Sequence, residues 1–217
     1  MLFGKIEYLN LLPFHIFIKR FISSSQIKMG MEHKKNVPAK INYAFKKRRV
    51  DAAFISSIEA KKYKNVKLGI IARKDVKSVL VIPSRGAKKD AESATSNVLV
   101  NVLGLEGEVL IGDKALRYAL KNDDYIDLAQ LWNQRYKLPF VFAVLAFHKD
   151  EKIYKKIEKN FGKYRVRIPQ YLLEKAAKDV GIEKSEVLEY LKLISYNLDR
   201  RAQRGLQKFY KEAAKVI

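Results

Sequence analysis

Apolar positions in the first half of the chain fall in short blocks that alternate between strand-like and helix-like spacing. Leu2–Ile6 predicts a strand, and Tyr8-Leu9-Asn10 leads from it into an apolar run whose Pro13 suits a first helical turn. A basic, irregular stretch from Ser23 to Pro38 follows. Ile41, Ala44 and Phe45 then share one face of a helix over Ala39–Lys47, and Lys46-Lys47-Arg48-Arg49 places positive charge at its carboxyl end. Asp51–Ile55 predicts a short buried strand, with Ser56-Ser57 able to cap a helix carrying Ile58 and Ala60. Lys67–Ile71 and Ser78–Pro83 continue as strands, and the Lys-rich Ser84–Asp90 segment has the makings of a loop joining two lobes. Glu92-Ser93-Ala94-Thr95-Ser96 opens a capped helix through Val98–Leu103. Gly107–Ile111 is strand-like, and Gly112-Asp113 precedes a helix over Lys114–Leu120.

In the second half, Leu138–Phe147 suits a buried strand passing back between lobes. Helical spacing covers Glu151–Phe161, Gln170–Val180, Lys184–Ser195 and Asp199–Val216. Val187, Leu191 and Ile194 recur in the third of these, and Leu206, Phe209, Tyr210 and Ala213 in the last. Strands alternating with helices predict a largely parallel α/β sheet, whose ligands bind beyond the carboxyl ends of the strands. Four junctions meet that rule: Asn10, Ser56-Ser57, Ser93–Ser96 and Gly112-Asp113. The connections near Ser78–Ser84 and Leu138–Phe147 predict two lobes, the first built from 1–83 and 144–217 and the second from 84–143, with a cleft between them.

Composition narrows the chemistry. The chain has 217 residues, 48% apolar and 31% charged, which excludes a disordered or low-complexity chain. Cys is absent, so thiol nucleophiles, disulfides and thiolate metal sites are excluded. His15, His33 and His148 are far apart and form no close-spaced ligand pattern, so a three-His metal site would require all of them to converge. Leu138–Phe147, the longest wholly apolar run, falls short of the roughly 20 residues needed to cross a bilayer. No export signal is recognisable at the amino terminus, and a cytoplasmic protein without membrane insertion is expected. The formal net charge of +21 points to an anionic partner. Basic clusters at Lys46–Arg49 and Lys61-Lys62 lack any nucleic-acid motif, so solvated faces or steering of a small anion is the plainer reading, and no nucleic acid is expected.

Helix amino termini expose unpaired N–H groups that favour carboxylates. The Asn10 amide can donate and accept hydrogen bonds, although loop or cap duty is an ordinary alternative. Ser56, Ser57, Ser93, Thr95 and Ser96 offer hydroxyls at helix starts, where capping alone accounts for their presence. Asp113 can orient a hydroxyl or take a proton, or it can serve only to shape its turn. His15, beside Phe14, Ile16 and Phe17, is read as packing, and the aromatic side chains are read mostly as core.

Several blocks resemble the chorismate dehydratase family of the futalosine route to menaquinone: Tyr8-Leu9-Asn10 with Leu12-Pro13-Phe14, Asp51–Glu59, Ser78-Val79-Leu80, Glu92–Ser96, Ile111–Leu116 and Leu138–Ala143. They occur in order over residues 2–147, with a weaker likeness at Gly205-Leu206 and Phe209. Glu7 departs from the Pro that many relatives carry, and the region between Ser84 and Ala91 is short. The resemblance implies a two-lobed fold like periplasmic binding proteins of the second structural type. It also implies a cytoplasmic, cofactor-independent lyase that converts chorismate to 3-[(1-carboxyvinyl)oxy]benzoate. Asn10 would be the central catalytic residue, with Ser56, Ser78, Ser93, Ala94, Thr95, Ser96, Gly112 and Asp113 around the substrate. A small-anion binding protein or sensor on the same fold is the alternative.

Overall fold

The computed structural model describes residues 2–26, 29–30, 34–163 and 166–217. His33 and part of the basic stretch before Pro38 lie outside them. In chain order the elements begin with β1 (Phe3–Ile6), a 3-10 turn (Leu9–Leu11), α1 (Leu12–Phe21), β2 (Lys35–Asn36), α2 (Pro38–Lys46), β3 (Ala52–Ser56), α3 (Ser57–Ala60) and β4 (Lys64–Ala72). The middle of the chain forms β5 (Val79–Ile82), α4 (Ala94–Leu103), β6 (Glu108–Ile111), α5 (Gly112–Ala119), β7 (Ile126–Asp127) and α6 (Leu128–Tyr136). The chain finishes with β8 (Phe140–Phe147), α7 (Glu151–Phe161), α8 (Gln170–Val180), α9 (Lys184–Leu193), β9 (Ile194–Asn197) and α10 (Arg200–Ala213).

The strands divide into a six-stranded sheet, ordered β2-β1-β3-β8-β4-β9, and a three-stranded sheet, ordered β6-β5-β7. Among the described strands only β2, β1 and β3 run parallel. The strand β8 is antiparallel to both β3 and β4, β9 is antiparallel to β4, and the smaller sheet is antiparallel throughout. The expectation of a largely parallel sheet is therefore corrected. The return strand β8 comes back from the smaller lobe and enters the middle of the larger sheet against the direction of its neighbours. Sheet membership also moves the crossings. The strand β5 pairs wholly within the smaller sheet, whereas Phe140–Ala143 pair with β3 and β4 in the larger one. The chain therefore passes between sheets at 73–78 and 137–139. The Ser84–Asp90 segment stays within the smaller lobe, where the Lys88 N–H donates to the Gly107 carbonyl at 3.0 Å.

Each sheet face is covered by aromatic side chains. Phe14 of α1 meets Phe54 of β3 edge-on at 4.8 Å between ring centroids and Phe161 of α7 at 5.3 Å. On the other side, Phe140 packs between Trp132 of α6, at 5.2 Å, and Phe209 of α10, at 5.0 Å. Helix α10 seats directly on the second crossing, where a Cβ at Gly205 would stand 2.1 Å from the Pro139 carbonyl oxygen.

Asp127 fastens the first crossing. Its carboxylate is buried and accepts the N–H groups of Val76 at 2.8 Å and Lys77 at 2.7 Å, while its other oxygen caps α6 through Ala129 at 2.9 Å and Gln130 at 3.0 Å. Burial raises its pKa against those lowering bonds. Replacing Asp127 with Ala removes a cap and leaves two crossing N–H groups unpaired. We expect Asp127→Ala to lose about 2–4 kcal/mol of stability in urea unfolding. Retention of wild-type stability would show that the crossing is held elsewhere.

Candidate active site

The 3-10 turn Leu9–Leu11 starts immediately beyond β1, α3 beyond β3, and α5 beyond β6, so three strand ends deliver polar groups to one place. These ends and the start of α4 border a cavity between the sheets. Asn10 and Ser56 line it from the larger lobe. Ser78, Ser93, Ser96 and Gly112 line it from the smaller lobe and its crossing, and Phe54, Ile70, Val79, Ile111 and Phe142 supply apolar walls.

Asn10 is held from both ends. Its carbonyl accepts the Tyr196 hydroxyl at 2.7 Å, and its side chain hydrogen-bonds the hydroxyl of Tyr190. Tyr190 in turn donates to Ser78 Oγ at 2.9 Å. Burial pushes both phenols far above their ordinary pKa, so they remain protonated donors. Ser93 caps α4 by accepting the Ser96 N–H at 3.0 Å, and it donates to Ser96 Oγ at 2.7 Å. That direction leaves the Ser96 proton for an acceptor in the cavity. Ser56 does not cap α3 with its side chain. Its hydroxyl instead accepts the Asn42 amide at 2.8 Å, while its N–H donates to the Asn42 carbonyl oxygen at 3.1 Å.

Three of the expected residues lie beside the cavity instead of on its wall. Thr95 Oγ1 lies 3.3 Å from Ser57 Oγ and accepts the Ile58 N–H at 3.3 Å, joining the two lobes. Ala94 faces an outer pocket shared with Asn42, Lys46 and Lys89. Asp113 accepts the Leu9 N–H at 3.1 Å and lines a separate groove with Lys5, His15, Lys19 and Lys175. Among the described residues no Lys or Arg lines the cavity. His148 is remote from it, stacked on Phe45 at 4.0 Å, with Nε2 2.8 Å from that residue's carbonyl oxygen. Among the described residues no cluster of three His, Cys, Asp or Glu side chains could hold a metal, and no helix is long and apolar enough to cross a membrane.

A model of a family described as menaquinone biosynthesis matches residues 1–108 and 102–215. The chain belongs to this family. It is 45% identical over 215 residues to the chorismate dehydratase of Campylobacter jejuni, covering 97% of this chain and 96% of that protein. Among solved structures, protein AF1704 from Archaeoglobus fulgidus superposes with a TM-score of 0.69 at 12% identity, covering 98% of this chain and 96% of the other. An ABC transporter from Parabacteroides distasonis gives 0.56 at 15% identity, covering 98% and 91%. The periplasmic aliphatic sulphonate binding protein SsuA of Escherichia coli gives 0.55 at 12% identity, covering 99% and 87%. These likenesses establish the two-lobed periplasmic-binding-protein-like fold. They also correct the expectation of a cytoplasmic protein, because the fold is shared with a periplasmic one and the assignment to the cytoplasm is withdrawn.

Reading the sequence alone missed Tyr190, Tyr196 and Asn42. Tyr190 sits three residues after Val187, and these two are the buried pair of α9, whereas Leu191 is only half-buried. The available signal was a Tyr on a helix face that otherwise packs as core, since a buried phenol needs a hydrogen-bond partner.

Burial raises the Asp113 pKa to about 6 from an ordinary 3.8, against the lowering effects of the Leu9 N–H and Arg117. The folded chain thus holds this proton more tightly than the unfolded chain. The group's contribution to stability is fully present below about pH 4 and is lost as pH rises through about 6. Asp113→Asn keeps an acceptor for Leu9 but removes the titration. We expect the variant to gain stability relative to the parent between pH 4 and pH 6.5 in urea unfolding. A constant difference across that range would exclude this titration.

Proposed function

We propose that the chain dehydrates chorismate to 3-[(1-carboxyvinyl)oxy]benzoate in menaquinone biosynthesis, with the enclosed cavity as its active site and Asn10 at the centre. The supporting observation is that, in a chain of this family, Asn10 from the larger lobe and the Ser93–Ser96 turn from the smaller lobe line one cavity. The six-stranded sheet and the three-stranded sheet define the two lobes that close on the substrate.

Chorismate carries two carboxylates. Among the described residues no ammonium or guanidinium group is on the cavity wall, and the substrate is held by neutral donors: the Asn10 amide and the hydroxyls of Ser78 and Ser96. Dehydration begins with loss of the proton at the ether-bearing ring carbon, where the developing charge extends through the ring toward its carboxylate. The C–O bond to the neighbouring hydroxyl then breaks, the ring becomes aromatic, and that oxygen leaves as water.

Among the described residues no carboxylate or imidazole is on the cavity wall to take the proton. The enolpyruvyl carboxylate of the bound substrate takes it and returns it to the departing hydroxyl. The sequence balances, because the substrate and product are both dianions and the protein neither gains nor loses a proton. Asn10, an uncharged amide, orients the substrate and hydrogen-bonds the leaving oxygen. The Tyr190–Ser78 network keeps that amide in place.

Incubation with chorismate, followed by absorbance and chromatography of the aromatic product, tests the assignment. Conversion is expected, and binding without conversion would select a sensor instead. Asn10→Ala should lower kcat about 100-fold or more while the unfolding midpoint changes little. An undiminished rate would remove Asn10 from the reaction. Raising ionic strength should lower kcat/KM more than kcat, because the +21 charge acts on the approaching dianion from outside the cavity. Equal effects on both would argue against steering.

A further inference from the structure

Tyr8 and Glu92 belong to different lobes. Tyr8 follows β1 of the larger sheet, and Glu92 precedes α4 in the smaller lobe. The phenol donates its proton to Glu92 Oε2. The ring of Tyr8 also lies where a side chain at position 112 would be: a Cβ on Gly112 would stand 2.6 Å from Tyr8 Cζ, and Gly112 adopts a φ of +64°. Tyr8 is part of the cavity wall, whereas Glu92 is not. The same ring borders the outer groove that contains Asp113, so it is the partition between that groove and the cavity.

We propose that Glu92 is a positioning residue for the dehydration, acting through Tyr8 as a latch that holds the lobes closed and the partition sealed over the substrate. This rests on the function proposed above. The bond joins the lobes, and it ties a wall of the cavity on the larger lobe to an acceptor on the smaller one. When the lobes separate, Tyr8 leaves the Gly112 socket and Glu92 loses its donor together, so seal and latch form one two-state element. The phenol stays protonated and able to donate, because burial and the neighbouring Glu92, Asp90 and Asp113 carboxylates all disfavour its ionisation. A substrate carboxylate is a poor occupant of this end of the cavity, since the Tyr8 phenolic proton is already committed to Glu92. The Tyr8 end therefore closes the site, while the Asn10 and serine groups bind the anion.

The chain has no cysteine, so two introduced cysteines can be spin-labelled without background. Lys152→Cys on α7 and Lys121→Cys after α5 place exposed labels on opposite lobes. In wild-type background the interlobe distance distribution should be dominated by the short, closed distance when the product is bound. Glu92→Ala and Tyr8→Phe should each shift it toward longer distances and lower kcat/KM about 10-fold, as expected for loss of a hydrogen bond to a charged acceptor. The product inhibition constant should rise in parallel. Glu92→Gln, which keeps a carbonyl acceptor, should restore most of both readouts. The double variant Tyr8→Phe/Glu92→Ala should be no worse than either single variant.

Multiplying defects in the double variant, or an unchanged distance distribution in Glu92→Ala, would overturn the latch. So would a Glu92→Gln variant as impaired as Glu92→Ala. Failure of wild-type protein to convert chorismate would instead overturn the underlying function, and the distance measurement would still report on the latch.

Discussion

The Asp127 carboxylate meets four backbone N–H groups, and the relation between the two sheets rests on that meeting. No strand is shared between the sheets, so their relative placement depends on the two crossings of the chain and on what grips them. Asp127 grips the first at Val76-Lys77, two residues from Ser78. Gly205 lets α10 press on the second at Pro139. Between these fixed points, the ends of β1, β3 and β6 converge, and the start of α4 completes the enclosure. A polar junction that would otherwise serve only as a helix start thereby becomes one wall of a shared cavity. The two crossings are also where lobe movement must be absorbed, since the remaining links between lobes are packing contacts such as Trp132 on Phe140 and hydrogen bonds, which separate without breaking the chain.

Much of the fold was legible as periodicity. Helices Glu151–Phe161 and Gln170–Val180 have the bounds their spacing predicts, because alternate core-facing and solvent-facing turns leave a strong pattern. Ile194–Asn197 begins with two residues that were read as the end of a helix, because Ile194 continues the spacing of Leu191. It forms a strand because the exposed edge of β4 accepts it, a tertiary fact with no local signature. Helix Leu128–Tyr136 was missed although Asp127 before Leu128 is a cap signal. The short strand ahead of it, only Ile126–Asp127, gives too little alternation to mark the unit.

The site was legible in part, for a related reason. Asn10, Ser56, Ser93, Ser96 and Gly112 stand at junctions where chain direction predicts that ligands gather, Ser78 was marked by the family resemblance, and all six line the cavity. The residues that orient them were hidden. Tyr190 is 112 positions from its partner Ser78, and Tyr196 is 186 from Asn10, so neither contact leaves a trace in local spacing. Net charge correctly implied an anionic ligand, but composition carries no information about depth, and among the described residues no Lys or Arg lines the cavity. Desolvating an ammonium group inside a closed cavity is costly, whereas at the surface it attracts anions without that penalty.

That neutral lining has a consequence for release. The dehydrated compound retains both carboxylates, so a pocket built from buried cations would hold it as firmly as the starting material and throttle each cycle. Amide and hydroxyl donors exchange readily with water once the lobes part, which lets an aromatic dianion depart with no buried counter-charge to abandon.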